Sequence, residues 1–206
     1  INYIALLGWN PGTEEEIFSI KELEKIFSVE RLNKSPAIFD SVKLTWMNGV
    51  YIRNLSAEAF YEKALPYLAE MPAAVDKKAL AAALQPRIET FGQIAEQTDF
   101  IKDLPDYSTE LFVNKKMKTD VEVAKKTLPL IKEVLTAQTD WTNDALFAAL
   151  KALAEANGLK NGQILYPARI AFSGKETTPG GATELAVILG KEECLKRLDK
   201  ALEKTA

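Results

Sequence analysis

Along most of this chain apolar residues return every three or four positions, and almost nowhere every two. That period lines one side of a helix, whereas a half-buried strand needs strict alternation. The helix starts are marked as well. Ser19-Ile20-Lys21-Glu22 is a capping box, in which serine and glutamate satisfy each other's exposed N–H groups. It opens a helix carrying Leu23, Ile26 and Phe27. Ser41 opens a short helix with Leu44 and Met47, and Ser56 one with Phe60, Ala64, Leu65 and Leu68. Asp76 opens another with Leu80, Ala83 and Leu84, continued by Ile88 and Phe91, and Pro86 predicts a kink or break within it.

Pro105-Asp106-Tyr107-Ser108 reads as a turn. Val121, Ala124, Leu128, Ile131, Val134 and Leu135 form the clearest amphipathic stripe, which Pro129 is expected to bend. Thr142 caps a helix through Leu146, Leu150 and Leu153, and Gly158 sits where a left-handed residue would end it. Residues 173–181 are the longest irregular stretch. Leu185, Ile188 and Leu189 precede Gly190, and Leu195, Leu198 and Leu202 mark a last helix. Strand-like runs are confined to Val50-Tyr51-Ile52 and Ile170-Ala171-Phe172. The expected fold is therefore all-α and multihelical, roughly ten helices, with weak breaks near 54 and near 105–115. No fixed-period repeat supports a solenoid.

With 206 residues the chain has room for one domain or two, two being preferred. At 47% hydrophobic and 27% charged residues, its composition is that of a globular protein rather than a disordered or disulfide-stapled one. Histidine is absent, which removes the serine–histidine triad, histidine zinc sites and histidine acid–base chemistry together. The single cysteine, Cys194, fits a reducing compartment. Its helical neighbours Leu195 and Leu198 mark it as a buried, inert thiol. The apolar opening Ile1 to Trp9 is too short for a membrane span and has no basic region before it, so neither a span nor a signal peptide is expected. Starting on Ile1, the sequence reads as a piece of a longer protein that begins inside a helix.

No catalytic or metal-binding group emerges. Gly174-Lys175 lacks the upstream glycine of a P-loop and is followed by Glu176. Glu14-Glu15-Glu16 and Glu192-Glu193 read as solvated helix starts favoured by the helix dipole. The net charge, 26 minus 29 or −3, is not that of a typical nucleic-acid binder. Basic residues nonetheless cluster at Lys115, Lys116, Lys118, Lys125 and Lys126, and again at Lys191, Lys196 and Arg197. Each group reads as a solvated helix face, and together they suggest a bipolar surface.

Longer motifs carry more. Asn2-Tyr3-Ile4-Ala5-Leu6-Leu7-Gly8-Trp9-Asn10-Pro11-Gly12 is followed by Asn33-Lys34-Ser35-Pro36-Ala37-Ile38-Phe39-Asp40 and by Lys43-Leu44-Thr45-Trp46-Met47-Asn48-Gly49-Val50-Tyr51-Ile52-Arg53. Further on stand Pro86-Arg87, Trp141-Thr142, Gly162-Gln163, Tyr166-Pro167-Ala168-Arg169, Thr178-Pro179-Gly180 and Leu189-Gly190-Lys191-Glu192. In this order they resemble bacterial glutamyl-tRNA synthetases, in the portion that follows the catalytic domain, over essentially the whole chain. The resemblance implies a stem-contact-like helical region at 1–54 and an anticodon-binding domain of two helical subdomains, 55–113 and 114–206. It implies a parent that joins glutamate to tRNA(Glu) with ATP and magnesium bound in a domain outside this sequence. The fragment itself would hold no cofactor and be inactive alone. A monomer in the cytoplasm is expected, with no DNA or membrane partner.

The resemblance also assigns roles. Arg87 matches the arginine facing the third anticodon base, where glutamate and glutamine tRNAs differ as C against G. A guanidinium fork can donate to both O2 and N3 of cytosine, whereas guanine turns N–H donors toward it. The bland reading of Arg87 is a surface arginine after a helix-breaking proline. Arg169 matches an arginine near the anticodon, and Thr178 and Pro179 match residues that contact its bases. Thr178 and Pro179 could equally form a plain turn. Gly181 stands where the family often has a bulky residue. Lys43 and Arg53 are candidates for tRNA backbone contact, and Trp46 and Tyr51 are expected to be structural. The alternative from a different class is a helical protein-interaction module without RNA binding, favoured only by the mild acidity.

Overall fold

The computed structural model describes residues 1–34 and 37–206. Ser35 and Pro36, part of the Asn33–Asp40 motif, lie outside the described residues. Eleven α-helices follow one another among those described: α1 (Asn2–Gly8), α2 (Ile20–Ile26), α3 (Ser41–Arg53), α4 (Ala57–Ala64), α5 (Lys77–Leu84), α6 (Gln93–Lys102), α7 (Val121–Ala137), α8 (Asn143–Ala156), α9 (Asn161–Ser173), α10 (Ala182–Leu189) and α11 (Lys191–Thr205). The all-α expectation holds. Only isolated bridges, Trp9 with Leu32 and Asn114 with Thr119, pair extended backbone among the described residues. The two strand-like runs lie inside α3 and α9, where helical context overrides the intrinsic preference of their β-branched residues.

Most helix ends follow the sequence signals. The Ser19 capping box forms in both directions, and Ser56, Asp76 and Thr142 accept from backbone N–H groups one turn ahead. Gly158 adopts φ +64°, as a residue ending α8 must. One expectation needs correction. Asp40, not Ser41, caps α3, its carboxylate accepting from Lys43 N–H at 3.0 Å; aspartate is as good a cap as serine and stands one residue earlier. Of the kink or break expected at Pro86, the structure has the break, since α5 stops at Leu84. Pro129 lies inside α7, which runs on for 17 residues. It is on the exposed face, where water can take up the carbonyl its ring leaves unpaired.

One apolar core runs from Ile52 to Ala201. Its axis is α9, with Ile164, Ala168, Ile170, Ala171 and Phe172 all fully buried, surrounded by α7, α8, α10 and α11. Cys194 is fully buried there, and burial pushes its thiol far above the ordinary range, so it is inert as expected. A second, small core of Trp9, Phe18 and Leu23 belongs to the first thirty residues or so. Tyr51 on α3 links it to the rest: its hydroxyl is 2.5 Å from Asn2 Oδ1 and 2.8 Å from the Phe18 carbonyl. Trp46 is 40% exposed and is no core residue.

In the basic group on α11 only Lys196 is exposed; Lys191 and Arg197 are not on a solvated face. Lys191 Nζ donates to the carbonyls of Thr136 and Gln138, each at 2.7 Å, closing the end of α7. Arg197 is 1% exposed, lodged between helix ends. No helix among the described residues is long and apolar enough to cross a membrane.

Candidate nucleic-acid interface

Residues 174–181 join α9 to α10, and both ends of the segment are fixed by backbone chemistry. Gly174 takes φ +61° to end α9, and its α-carbon lies so close to Tyr107 that an added Cβ would be 2.7 Å from Cδ1. At the far end Glu184 Oε2 accepts from Gly181 N–H at 2.6 Å, covering an unpaired donor at the start of α10. Lys175 pairs with Asp99 on α6 at 2.5 Å.

Within this frame Arg169, on the last full turn of α9, reaches forward over the segment. Its Nη1 donates to the Glu176 carbonyl at 2.7 Å and to Thr178 Oγ1 at 3.1 Å. The Thr178 hydroxyl in turn donates to the Gly180 carbonyl at 2.6 Å. The Arg169 guanidinium lies 5.1 Å from the Tyr166 ring centre, one turn back, in cation–π geometry. Burial pulls its pKa below the ordinary arginine value, against the opposing influence of Tyr166 and Glu176; the side chain remains charged at neutral pH. Its Nε and Nη2 have no protein partner among the described residues. Pro179 is buried beside Thr178 and does not offer an open face.

Arg169 opens onto a groove of about 580 Å³, walled by Met117, Phe147, Leu165, Tyr166, Gly181 and Thr183. Phe147 and Met117 are each 41% exposed there. A flat apolar wall beside an unsaturated guanidinium suits a planar ring with polar edges. Phe147 and Met117 were not singled out from sequence.

Arg87 stands apart from this group, in the turn after α5. It is exposed, and its Nη1 donates to the Ala83 carbonyl at 2.7 Å. The turn is held from α3: Gln85 Nε2 donates to the carbonyls of Ile52 (3.1 Å) and Leu55 (2.8 Å), and Asn48 Nδ2 to that of Glu89 at 2.5 Å. Gln85 and Asn48 thus position the arginine, a role no sequence pattern marks. Arg53, at the end of α3, is exposed beside the same turn; a Cβ on Gly49 would lie 3.0 Å from both Arg53 Nη1 and Glu89 Cγ. Lys43 is half-buried and pairs with Glu16.

A family described as the anticodon binding domain matches residues 59–202. The chain belongs to that anticodon-binding domain family. Arg87, Arg169, Thr178 and Pro179 all fall within the matched span, and Lys43 and Arg53 precede it. A glutamate–tRNA ligase of Clostridium botulinum is 49% identical over 98% of this chain and 42% of its own length. One from Clostridium kluyveri is 45% identical over 99% of this chain, again 42% of its own. The chain therefore spans about two-fifths of the curated relatives it matches. Among solved structures, a glutamate tRNA ligase from Elizabethkingia meningosepticum, in complex with its amino acid, superposes with a TM-score of 0.84 at 26% identity, covering 100% of this chain and 40% of that one. The glutamate-tRNA synthetase of Elizabethkingia anophelis gives 0.81 at 25% identity, over 98% and 39%. An anticodon-binding domain with these relatives is not favoured as a protein-interaction module without RNA contact.

Proposed function

We propose that this chain recognises the anticodon of tRNA(Glu) as part of a monomeric, cytoplasmic glutamate–tRNA ligase. The single observation that carries the reading is the Arg169–Thr178 arrangement at the mouth of the groove, inside an anticodon-binding domain. An unstacked base entering the groove would lie against Phe147 and Tyr166 and present its polar edge to the free side of Arg169. Arg87, also with unused donors, would read the third anticodon base. Pro179, being buried, supports Thr178 and does not itself carry a base. Lys43 and Arg53 would contact the tRNA backbone, positioning the RNA without reading it. For Lys43 this requires exchanging Glu16 for phosphate.

The first 54 residues would act as the stem-contact region, and 55–113 and 114–206 as two subdomains sharing one core. Glutamate activation, with ATP and magnesium, would belong to the part of the ligase outside this chain. This chain alone would not charge tRNA. The test is tRNA binding by the full ligase across a salt series, with Arg169→Gln in parallel. Affinity should fall steeply with salt, and the variant should bind roughly tenfold more weakly. Flat or undetectable salt dependence with an unaffected variant would reject the reading.

A further inference from the structure

We infer that Arg197 is a positioning residue for anticodon recognition: it locks the segment carrying Thr178 to the half of the fold carrying Arg87. The inference rests on the function proposed above and names how its two separate reading points keep a fixed spacing.

The guanidinium lies where two helices end. Its Nη1 donates to the Phe100 carbonyl at 2.9 Å and to the Phe172 carbonyl at 2.6 Å, and its Nη2 to the Ile101 carbonyl at 3.1 Å. Phe100 and Ile101 belong to the last turn of α6, Phe172 to the last turn of α9. Carbonyls of a last turn have no partner within their helix, and the negative ends of two helix dipoles meet here. Glu193, one turn back on α11, accepts from Nε at 2.7 Å. Burial pushes the Glu193 carboxyl up, but the Arg197 hydrogen bond and charge, helped by Lys196, bring it below its ordinary value. Every nitrogen of the buried guanidinium thus has a partner.

Such a group is a poor way to gain stability, since apolar residues of similar volume often serve better in a core. What it supplies is geometry. A planar fork spans two helix ends at once, which a leucine cannot do and a lysine, with one point charge, does less well. The position of the join matters. Two residues beyond Phe172 the chain leaves α9 at Gly174 and enters the segment bearing Thr178. Upstream, α6 begins six residues after Arg87. The Lys175–Asp99 pair reinforces the join from the segment's own side. A second link, from Asp76 N–H to the Ile188 carbonyl at 3.0 Å, joins α5 to α10, but it ends away from the segment.

The experiment uses the full ligase and two transcripts of its glutamate tRNA, one with C and one with G as the third anticodon base. Arg197→Lys and Asp99→Asn are compared with wild type; Asp99→Asn is a surface change that leaves the core intact and decides the matter should Arg197→Lys fold poorly. Both are expected to weaken binding of the C transcript three- to tenfold and to reduce the C-over-G ratio by a similar factor, at protein concentrations corrected for the folded fraction. Effects of Arg87→Gln and Arg169→Gln that reinforce each other in wild type should become independent in the Asp99→Asn background. Unchanged affinity and unchanged ratio in folded variants would overturn the inference, as would a loss of thermal stability with the ratio intact. If Arg87→Gln and Arg169→Gln are themselves silent, the proposed function fails and the inference with it; if they act while Arg197→Lys and Asp99→Asn do not, the inference alone is wrong.

Discussion

Arg87 donates to the carbonyl of Ala83, one turn behind it, at 2.7 Å. The bond closes the end of α5 and leaves the outer edge of the guanidinium toward solvent. The Arg87 side chain is thus held in place by the protein's own backbone.

Replacing it with glutamine should therefore cost the fold little, within about 0.5 kcal/mol, because water can serve the Ala83 carbonyl. The effect should fall on specificity. Loss of a bidentate contact corresponds to about 1–3 kcal/mol of discrimination. Aminoacylation by the full ligase, comparing tRNAs with C and G at the third anticodon position, should show the preference reduced at least fivefold. An unaltered preference would remove Arg87 from base reading.

Thr178→Val keeps the shape of the side chain and deletes the hydroxyl between Arg169 and the Gly180 carbonyl. One hydrogen bond contributes about 1 kcal/mol. Calorimetric titration of the full ligase with its tRNA should show affinity lowered several-fold, with the glutamate and ATP sites unaffected.

Tyr107 carries a hydroxyl that is buried without a hydrogen-bond partner. Burial, against the favourable charge of Arg197 and aided by Asp106, leaves its pKa pushed up to about 12. An unfolded tyrosine ionises near 10. The native state therefore holds the proton more tightly: the contribution is complete below pH 10 and is lost as pH rises toward 12, at most about 1.4 kcal/mol per pH unit. Tyr107→Phe should remove that alkaline sensitivity and, by deleting an unsatisfied group, equal or exceed wild type near neutral pH. Thermal melts of both proteins between pH 7 and about 11.5 provide the difference curve that decides it.

Gly174 and Gly158 form a matched pair. Both have positive φ, +61° and +64°, yet a Cβ at 174 would strike Tyr107 and one at 158 would meet nothing within 4 Å. Gly158→Ala should cost about 1 kcal/mol for the left-handed backbone alone, and Gly174→Ala clearly more. In melting temperature this is roughly 2–4 °C against a larger drop.

The helices were legible because their ends are written locally. Ser19, Ser56, Asp76 and Thr142 cap where their residue types and the following periodicity place them. What could not be read depends on contacts between elements distant in sequence. Arg197 sits among charged neighbours and looks like part of an exposed face, yet its three carbonyl partners lie 25, 96 and 97 residues away. Pro86 and Pro129 are both exposed, yet one stands past the end of α5 and the other inside α7, a difference no local pattern marks. The Arg169–Thr178 contact spans a loop whose path the spacing of residues does not fix; only the resemblance pointed to the pair. Phe147 and Met117 carried no signal, since a lone exposed apolar residue is common on any surface.

The separation of the two cores has a consequence for how the molecule opens. Trp9, Phe18 and Leu23 form a cluster of their own, and the first helices are tied to α3 and the residues before it mainly by polar contacts, the hydroxyls of Tyr51 and Tyr3 and the Lys43–Glu16 pair. Polar ties of that kind hold orientation but add little cohesion, so the leading helices can detach while α9 stays enclosed. Amide protons of α1 and α2 should then exchange with solvent through partial opening, and those of α9 only when the whole assembly comes apart.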